Sequence, residues 1–459
     1  MTTDRTPVIV GVGQAVERIG EAGYAERRPA DLAAWAAREA IADARAAADL
    51  RPLVEFVGAV RTFEDSRGSP APFGKPDKFP LAVARRLGVV PKHATLEPIG
   101  GQSPVTAVVD VAERILHGEL SAGLIVGAES TSTIRSILAR GEMRDWAEHD
   151  EGEVEWKGSE DGPLLSRRSI GHGIHSPALA YGLIENARRA RTGLSREAYR
   201  REMGALFAPF SEIAARNPLA STFGTAASAE ELAEISPSNR LIADPYPRRL
   251  ISRDQVNLGA ATLVMSAGAA RAAGIPESRW IHIQGAAKVV DPEPLERADL
   301  ARFAGAEAVL DAALAACGKP LSEMAYLDFY SCFPAAVFAT AIDHLRLSPD
   351  DPRGLTVTGG LPFFGGPGNG YSGHAIAAMV ERLRANPGAF GLLGALGGLQ
   401  SKYAALILST TPAPERSSVW IKAPIDRVGP PPLTEFVNDT ATIEIYTIQY
   451  TRDGPEYAI

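Results

Sequence analysis

An α/β fold in two similar halves, the first interrupted by a helical excursion, is predicted by three observations. Short β-branched runs alternate with alanine-rich helical runs, the pattern of a mostly parallel sheet with helices on its faces. A strand, helix, strand, elbow, helix, strand plan occupies residues 7–130 and recurs over 280–410, without residue identity to prove a repeat. Residues 131–250 break the rhythm with a segment rich in Arg, Glu, His and Trp.

The elements follow in order. Pro7-Val8-Ile9-Val10-Gly11-Val12-Gly13 reads as a buried strand ending in glycines, and 28–48 as a helix with an Ala/Leu/Ile face. A second strand spans 53–60 and a second helix 80–88. The stretch EPIGGQSPVT (97–106) then sits where a strand hands over to a helix (104–118), before the strand 121–130. SPALAYGLIENARRARTG and REAYRREMGALFAPFSEIAARN are helices of the excursion, and 257–274 return to strand and helix. The second half runs through strand 280–290, helix 304–317, strand 326–333, helix 334–345, the glycine-rich loop 359–370, helix 372–385 and strand 403–410. Pro412-Ala413-Pro414 and Pro430-Pro431-Pro432 mark a linker. Residues 440–451 are a β run, either an added strand or the start of a small β domain. The expected domains are 1–275 with an insert at 131–250, 276–411, and 412–459 as linker and C-terminal β segment. The sequence closes just after a strand, at Tyr457-Ala458-Ile459, which leaves open whether that last domain is complete.

At 459 residues the chain exceeds one ordinary domain, with the apolar and charged content of a globular protein with large cores. A formal net charge of −8 argues against nucleic acid as a main partner. Cys317 and Cys332 are too few for a disulfide framework or a cysteine-based zinc site. No signal-peptide pattern opens the sequence and no apolar run suits a membrane span, so a cytoplasmic location is expected.

VIVGVGQ (8–14), SPVTAVVDVAERILHGELSAGLIVGAES (103–130) and QVNLGAATLVMSAGAARAAG (255–274) carry a family likeness, continued by DFYSCF (328–333), TGGLPFFGGPGNGY (358–371) and GALGGLQSKYAALIL (394–408). Their order and spacing over residues 7–411 resemble the thiolase superfamily, and most closely its SCP2-thiolase branch and thiolase-like proteins with an additional C-terminal domain. The resemblance implies a thiolase fold: two βαβαβαββ halves in a five-layer αβαβα arrangement, with a helical loop domain. It implies acyl-CoA as ligand, a place in lipid metabolism and acetyl-CoA acetyltransferase chemistry, in which one cysteine accepts the acyl group and a second moves the α-proton. A homodimer is expected from it, with the C-terminal segment able to cover the dimer surface.

This sequence departs from the family at all four catalytic positions. Gln102 stands where the nucleophilic cysteine belongs, Tyr330 at the oxyanion Asn/His, Gly366 at the activating His and Ala395 at the second cysteine. An amide forms no acyl-enzyme, and loss of nucleophile and base costs many orders of magnitude. Thiolase activity is therefore expected to be absent, with Cys332 read as a small packing residue. Gln102 either caps the helix or donates to a thioester carbonyl. Gln-for-Cys ketosynthase-like decarboxylases are a fold-level precedent, but they need two histidines missing here.

Two functions remain open at this level: a non-catalytic acyl-CoA- or lipid-binding module or scaffold, or a non-covalent retro-aldol lyase using Tyr330 and Tyr371 as acid/base or oxyanion donors. The thiolase-fold lyases that rely on tyrosines work with an OB-type β-domain partner. Tyr330 read as a satisfied core tyrosine is the plain alternative. Gly365, Gly366, Pro367, Gly368 and Asn369 lack a P-loop ending and suit a tight turn at a pocket floor. His172 and His175 are placed at the pocket mouth rather than at a metal, for want of a third ligand. His374 starts a helix out of register with the family's histidine. Arg248, Arg249 and Arg253 are candidates for CoA phosphates, against the alternative of a solvated basic face. No cofactor is expected apart from CoA or acyl-CoA as ligand.

Overall fold

The computed structural model describes residues 3–66, 70–158, 165–425 and 436–459, together with 429, 432 and 434. Of the expected proline linker, Pro430 and Pro431 lie outside the described residues.

The first half contributes β1 (Pro7–Val16), β2 (Phe56–Ala59), β3 (His93–Leu96), β4 (Ala122–Ser130) and β5 (Asn257–Ser266), in the spatial order β3-β2-β4-β5-β1. The second half contributes β6 (Ile281–Val290), β7 (Met324–Phe329), β8 (Phe390–Gly397) and β9 (Lys402–Ser409), in the order β7-β8-β9-β6. The repeat that residue identity hides is explicit in this pairing. β2 is parallel to β4, β4 antiparallel to β5 and β5 antiparallel to β1. Likewise β7 is parallel to β8, β8 antiparallel to β9 and β9 antiparallel to β6. With β1 also pairing with β6, Val8 opposite His282 and Ile9 opposite Ile281, all of these strands form one sheet, mixed rather than mostly parallel. In the second half a short turn after Gly397 joins β8 to β9, and such a connection can only place neighbours antiparallel.

Helices α1 (Pro29–Asp43) and α2 (Phe79–Leu87) cover the outer face of the first half's strands, and α6 (Ala304–Cys317) that of the second half's. Helices α3 (Ser103–Leu116) and α7 (Tyr371–Ala385) pack on each other and on strands of both halves, forming the middle of five layers. Glycine decides how close the outer helices come. A Cβ at Gly11 or Gly13 of β1 would run into the Ala40 or Ala36 carbonyl of α1, and one at Gly285 of β6 into the Ala313 carbonyl of α6. The two halves use one packing device at equivalent strands.

Most expected elements stand within a few residues of their positions. Strand 326–333 is instead Met324–Phe329, and helix 334–345 is a short turn, Pro334–Val337, that widens into a π-helical segment at Phe338–Ile342. The excursion holds α4 (Pro177–Thr192) and α5 (Arg196–Arg216), between which a buried knot joins Glu185 to the Tyr199 and Tyr246 hydroxyls. The tail departs most from expectation. Of 440–451 only Ile448–Tyr450 is strand; it forms a hairpin with Pro455–Ala458 and adds to the excursion's own strands, Leu241–Ala243 and Tyr246–Pro247. Ahead of it, Trp420–Ile421 pairs with β6. Glu155–Trp156 lies parallel to the outer edge of β3. No helix among the described residues is long and apolar enough to cross a membrane.

Candidate functional site

The two central helices begin side by side, Gln102 at the N-cap of α3 and Gly370 at that of α7. Two side chains stitch their entries together. Asn369 accepts from the Gly100 N–H at 2.9 Å and donates to the Arg61 carbonyl at 2.9 Å, and the Ser372 hydroxyl donates to the Gly101 carbonyl at 2.5 Å. Asn369 thus binds the elbow itself.

Gln102 is 5 % exposed, makes no side-chain cap and leaves Oε1 without a hydrogen bond among the described residues. That oxygen is wedged against Gly100 and Gly397, at either of which a Cβ would collide with it. A buried amide oxygen with no donor is costly, so the carboxamide fills its place at the elbow at some expense. Tyr330 lies across the other side of the elbow, its ring where a Cβ at Gly101 would stand. Its backbone is held by the Gly394 carbonyl, and its hydroxyl makes no hydrogen bond among the described residues. Ala395 is buried in β8 opposite Ala404. Gly366 faces away from this cluster: a Cβ there would meet the Ser252 hydroxyl.

Tyr371 meets Tyr330 edge to face at 5.4 Å, so the two predicted tyrosines do come together. Its hydroxyl is fully buried and shares a hydrogen bond of 2.6 Å with Thr358, with Asp328 Oδ2 at 3.3 Å. Asp328 also accepts from the Val357 N–H and the Thr356 hydroxyl, each at 2.9 Å. Burial pushes the Asp328 carboxyl up to about 7 and raises both phenols well above their ordinary value. His374, one turn into α7, is buried with Nδ1 2.8 Å from Gln14 Oε1; burial drives it down to about 3, so it is a neutral imidazole. The Cys332 thiol is pushed up to about 12, which leaves it an inert neighbour rather than a nucleophile.

The glycine loop does bring backbone close to other groups, with Gly365 at φ 126° and Gly368 at φ 54°. Gly365 packs on Val256 and Leu258, and Gly368 on the Glu129 carboxylate. Pro367 accepts from Gly370 and closes the turn.

Beside this closed centre opens a cavity of about 1250 Å³. Arg248, Arg249 and Arg253 line it, joined by Arg135, Arg240 and Arg452 against only Glu231 and Asp254. Arg135 is paired with Asp254, whereas the guanidinium groups of Arg248, Arg249, Arg253 and Arg452 make no hydrogen bond or ion pair among the described residues. Its wall is shared with the centre, since the Ser252 N–H donates to Cys332 and the Arg253 carbonyl accepts from Gly366. His172 and His175 are exposed and do not line this cavity; Gly173 between them receives the Tyr457 hydroxyl from the tail. Among the described residues no cluster of three metal-ligating side chains gathers there or elsewhere. Sequence reasoning missed Arg135, Arg240 and Arg452. The first two lie inside the excursion without a local pattern, and Arg452 reaches the cavity only because the tail folds back.

No family model and no curated protein matches the chain. Among solved structures, it is similar to a monomeric SCP2-thiolase-like protein type 1 of Mycobacterium smegmatis: 39% identity, TM-score 0.79, with 98% of this chain and 88% of that one covered. The dimeric peroxisomal thiolase of Saccharomyces cerevisiae shares the fold at 16% identity and TM-score 0.64, covering 89% of this chain and 98% of that one. So does the Ltp2–ChsH2(DUF35) aldolase, at 18% identity and TM-score 0.64, covering 88% and 98%.

Proposed function

The chain belongs to the SCP2-thiolase-like branch of the thiolase superfamily, and from that membership we propose that it binds an acyl-CoA through the arginine cavity without performing Claisen chemistry. One contrast carries the reading: a cation-lined cavity stands open beside a catalytic centre that is closed. Clustered arginines repel one another, and a polyphosphate is the ligand class that offsets them with charge-assisted, forked hydrogen bonds. The clustering is the more telling in a chain whose net charge is −8. At the centre, Gln102 offers no nucleophile, Gly366 no base, Ala395 no acid, and Tyr330 covers the elbow. His374 supplies no substitute base, because it is buried, neutral and turned to Gln14.

The unpartnered Tyr330 hydroxyl favours a second reading, a non-covalent retro-aldol cleavage of an acyl-CoA. Held protonated by burial, that phenol would donate to an enolate oxygen, with Tyr371 supporting its ring. An OB-type partner in this reading is a separate protein, since the chain's own tail is committed to the excursion. For assembly we favour a monomer over the homodimer first expected, because Glu155–Trp156 occupies the edge of β3.

Titration calorimetry with CoA and a panel of acyl-CoAs tests the main reading. Binding that weakens with salt and responds to the acyl group supports it; no heat with any of them overturns it.

A further inference from the structure

The C-terminal hairpin does more than finish a small sheet. Its turn places Arg452 at the tip, closed by the Thr451 N–H donating to Gly454 at 2.9 Å, and Arg452 lines the arginine cavity. The hairpin is firmly seated on the excursion. The Asp244 N–H donates to Ile448 at 2.9 Å, the Thr447 hydroxyl to the Asp244 carbonyl at 2.8 Å, and Asn186 Nδ2 to Tyr446 at 3.2 Å. Arg240, itself on the cavity wall, donates to the Thr451 carbonyl at 3.3 Å and so ties the tip to the cavity rim. These bonds fix the hairpin, yet the guanidinium it presents has no hydrogen bond or ion pair among the described residues. A free cation on a fixed arm at the rim of a cavity already rich in arginine adds to its positive potential, which an anion would offset.

We infer that the C-terminal extension is part of the ligand site, with Arg452 as a phosphate contact supplied from outside the two thiolase halves. This rests on the reading of the cavity as a site for CoA phosphates. The tail then works as one wall of the site, joining 448–458 to the excursion on which Arg248 and Arg249 stand.

Calorimetric titration of CoA into the full chain tests the inference, using the unaltered protein, Arg452→Ala, Arg452→Lys and Arg248→Ala. Loss of one charge-assisted contact weakens binding about tenfold, and this is expected for Arg452→Ala, with a smaller loss for Arg452→Lys, which keeps the charge. If CoA binds and Arg248→Ala weakens it while Arg452→Ala stays within about twofold, the tail has no part in the site and the inference falls alone. If the unaltered protein does not bind CoA, the reading of the cavity falls with it. Arg452 is exposed at a hairpin tip, so its replacement leaves the fold intact, which a thermal melt of each variant verifies.

Discussion

Replacing Gln102 by cysteine restores the family's nucleophile in name, and we expect it to restore no thiolysis. The new thiol would lie buried between Gly100, Gly397 and the Tyr330 ring. Cys332, two residues from Tyr330, gauges that environment with a thiol pushed up to about 12. Such a thiol is ionised to about one part in ten thousand at pH 8. The N-terminus of α3 favours the anion by at most about 2 kcal/mol, roughly thirtyfold in thiolate. A missing general base then costs about a hundred- to ten-thousandfold and a missing oxyanion donor about a hundred- to a thousandfold. Together these leave turnover about a millionfold below that of a competent thiolase. Nor can the base simply be grafted, because a side chain at Gly366 meets Ser252. The assay is CoA-dependent cleavage of acetoacetyl-CoA, followed by loss of enolate absorbance, beside the pH profile of iodoacetamide alkylation. Measurable thiolysis, or alkylation with an inflection below about pH 8, would refute this account of the centre.

Three further outcomes are expected. Asp328 releases its proton near its ordinary 3.8 when unfolded but near 7 in the fold, so its stabilising contribution is complete below pH 3.8 and lost as pH rises through about 7. That gap is worth about 4 kcal/mol; Asp328→Asn should flatten urea-unfolding stability over pH 4–8 by a large part of it, leaving the slope due to Glu185 and Glu64, also pushed to about 7, and to Glu129, Glu97 and Glu381, which burial also raises. An unchanged slope would mean Asp328 is not buried as described. Gly101→Ala drives a methyl into the Tyr330 ring and should cost about 1–3 kcal/mol, a cost that shrinks by more than half in a Tyr330→Ala background; simple additivity would show that the ring does not cover the elbow. Tyr330→Phe should leave CoA affinity within about twofold, and loss of a lyase activity in that variant would replace the binding reading with the retro-aldol one.

The fold was legible because its signals are local. The run at 7–13 read as a buried strand ending in glycines and is β1, and in the fold Gly11 and Gly13 admit α1. The elbow at 97–106 and the glycine loop at 359–370 marked the starts of α3 and α7, the pair at the middle of the molecule. The strand predicted at 440–447 failed because alternating aliphatic and aromatic residues make a strand only where an edge accepts them, and the excursion's edge begins to pair at Ile448. Tyr371 looked from the sequence like a free acid/base candidate because nothing near it in the chain advertises Asp328, 43 positions away, as a partner for its hydroxyl.

The same distinction separates the joint at the elbow from the side chains around it. Asn369 and Ser372 hold the elbow to the start of α7, so this turn is also the joint between the two halves. The side chains at the positions aligned with the family's catalytic residues make no such joint: Ala395 packs in β8, Gly366 clears Ser252, and Gln102 and Tyr330 fill space around Gly101 and Gly397. The unpaired arginines of the cavity are under a different constraint: they repel one another, and the polyphosphate ligand we propose would offset that repulsion.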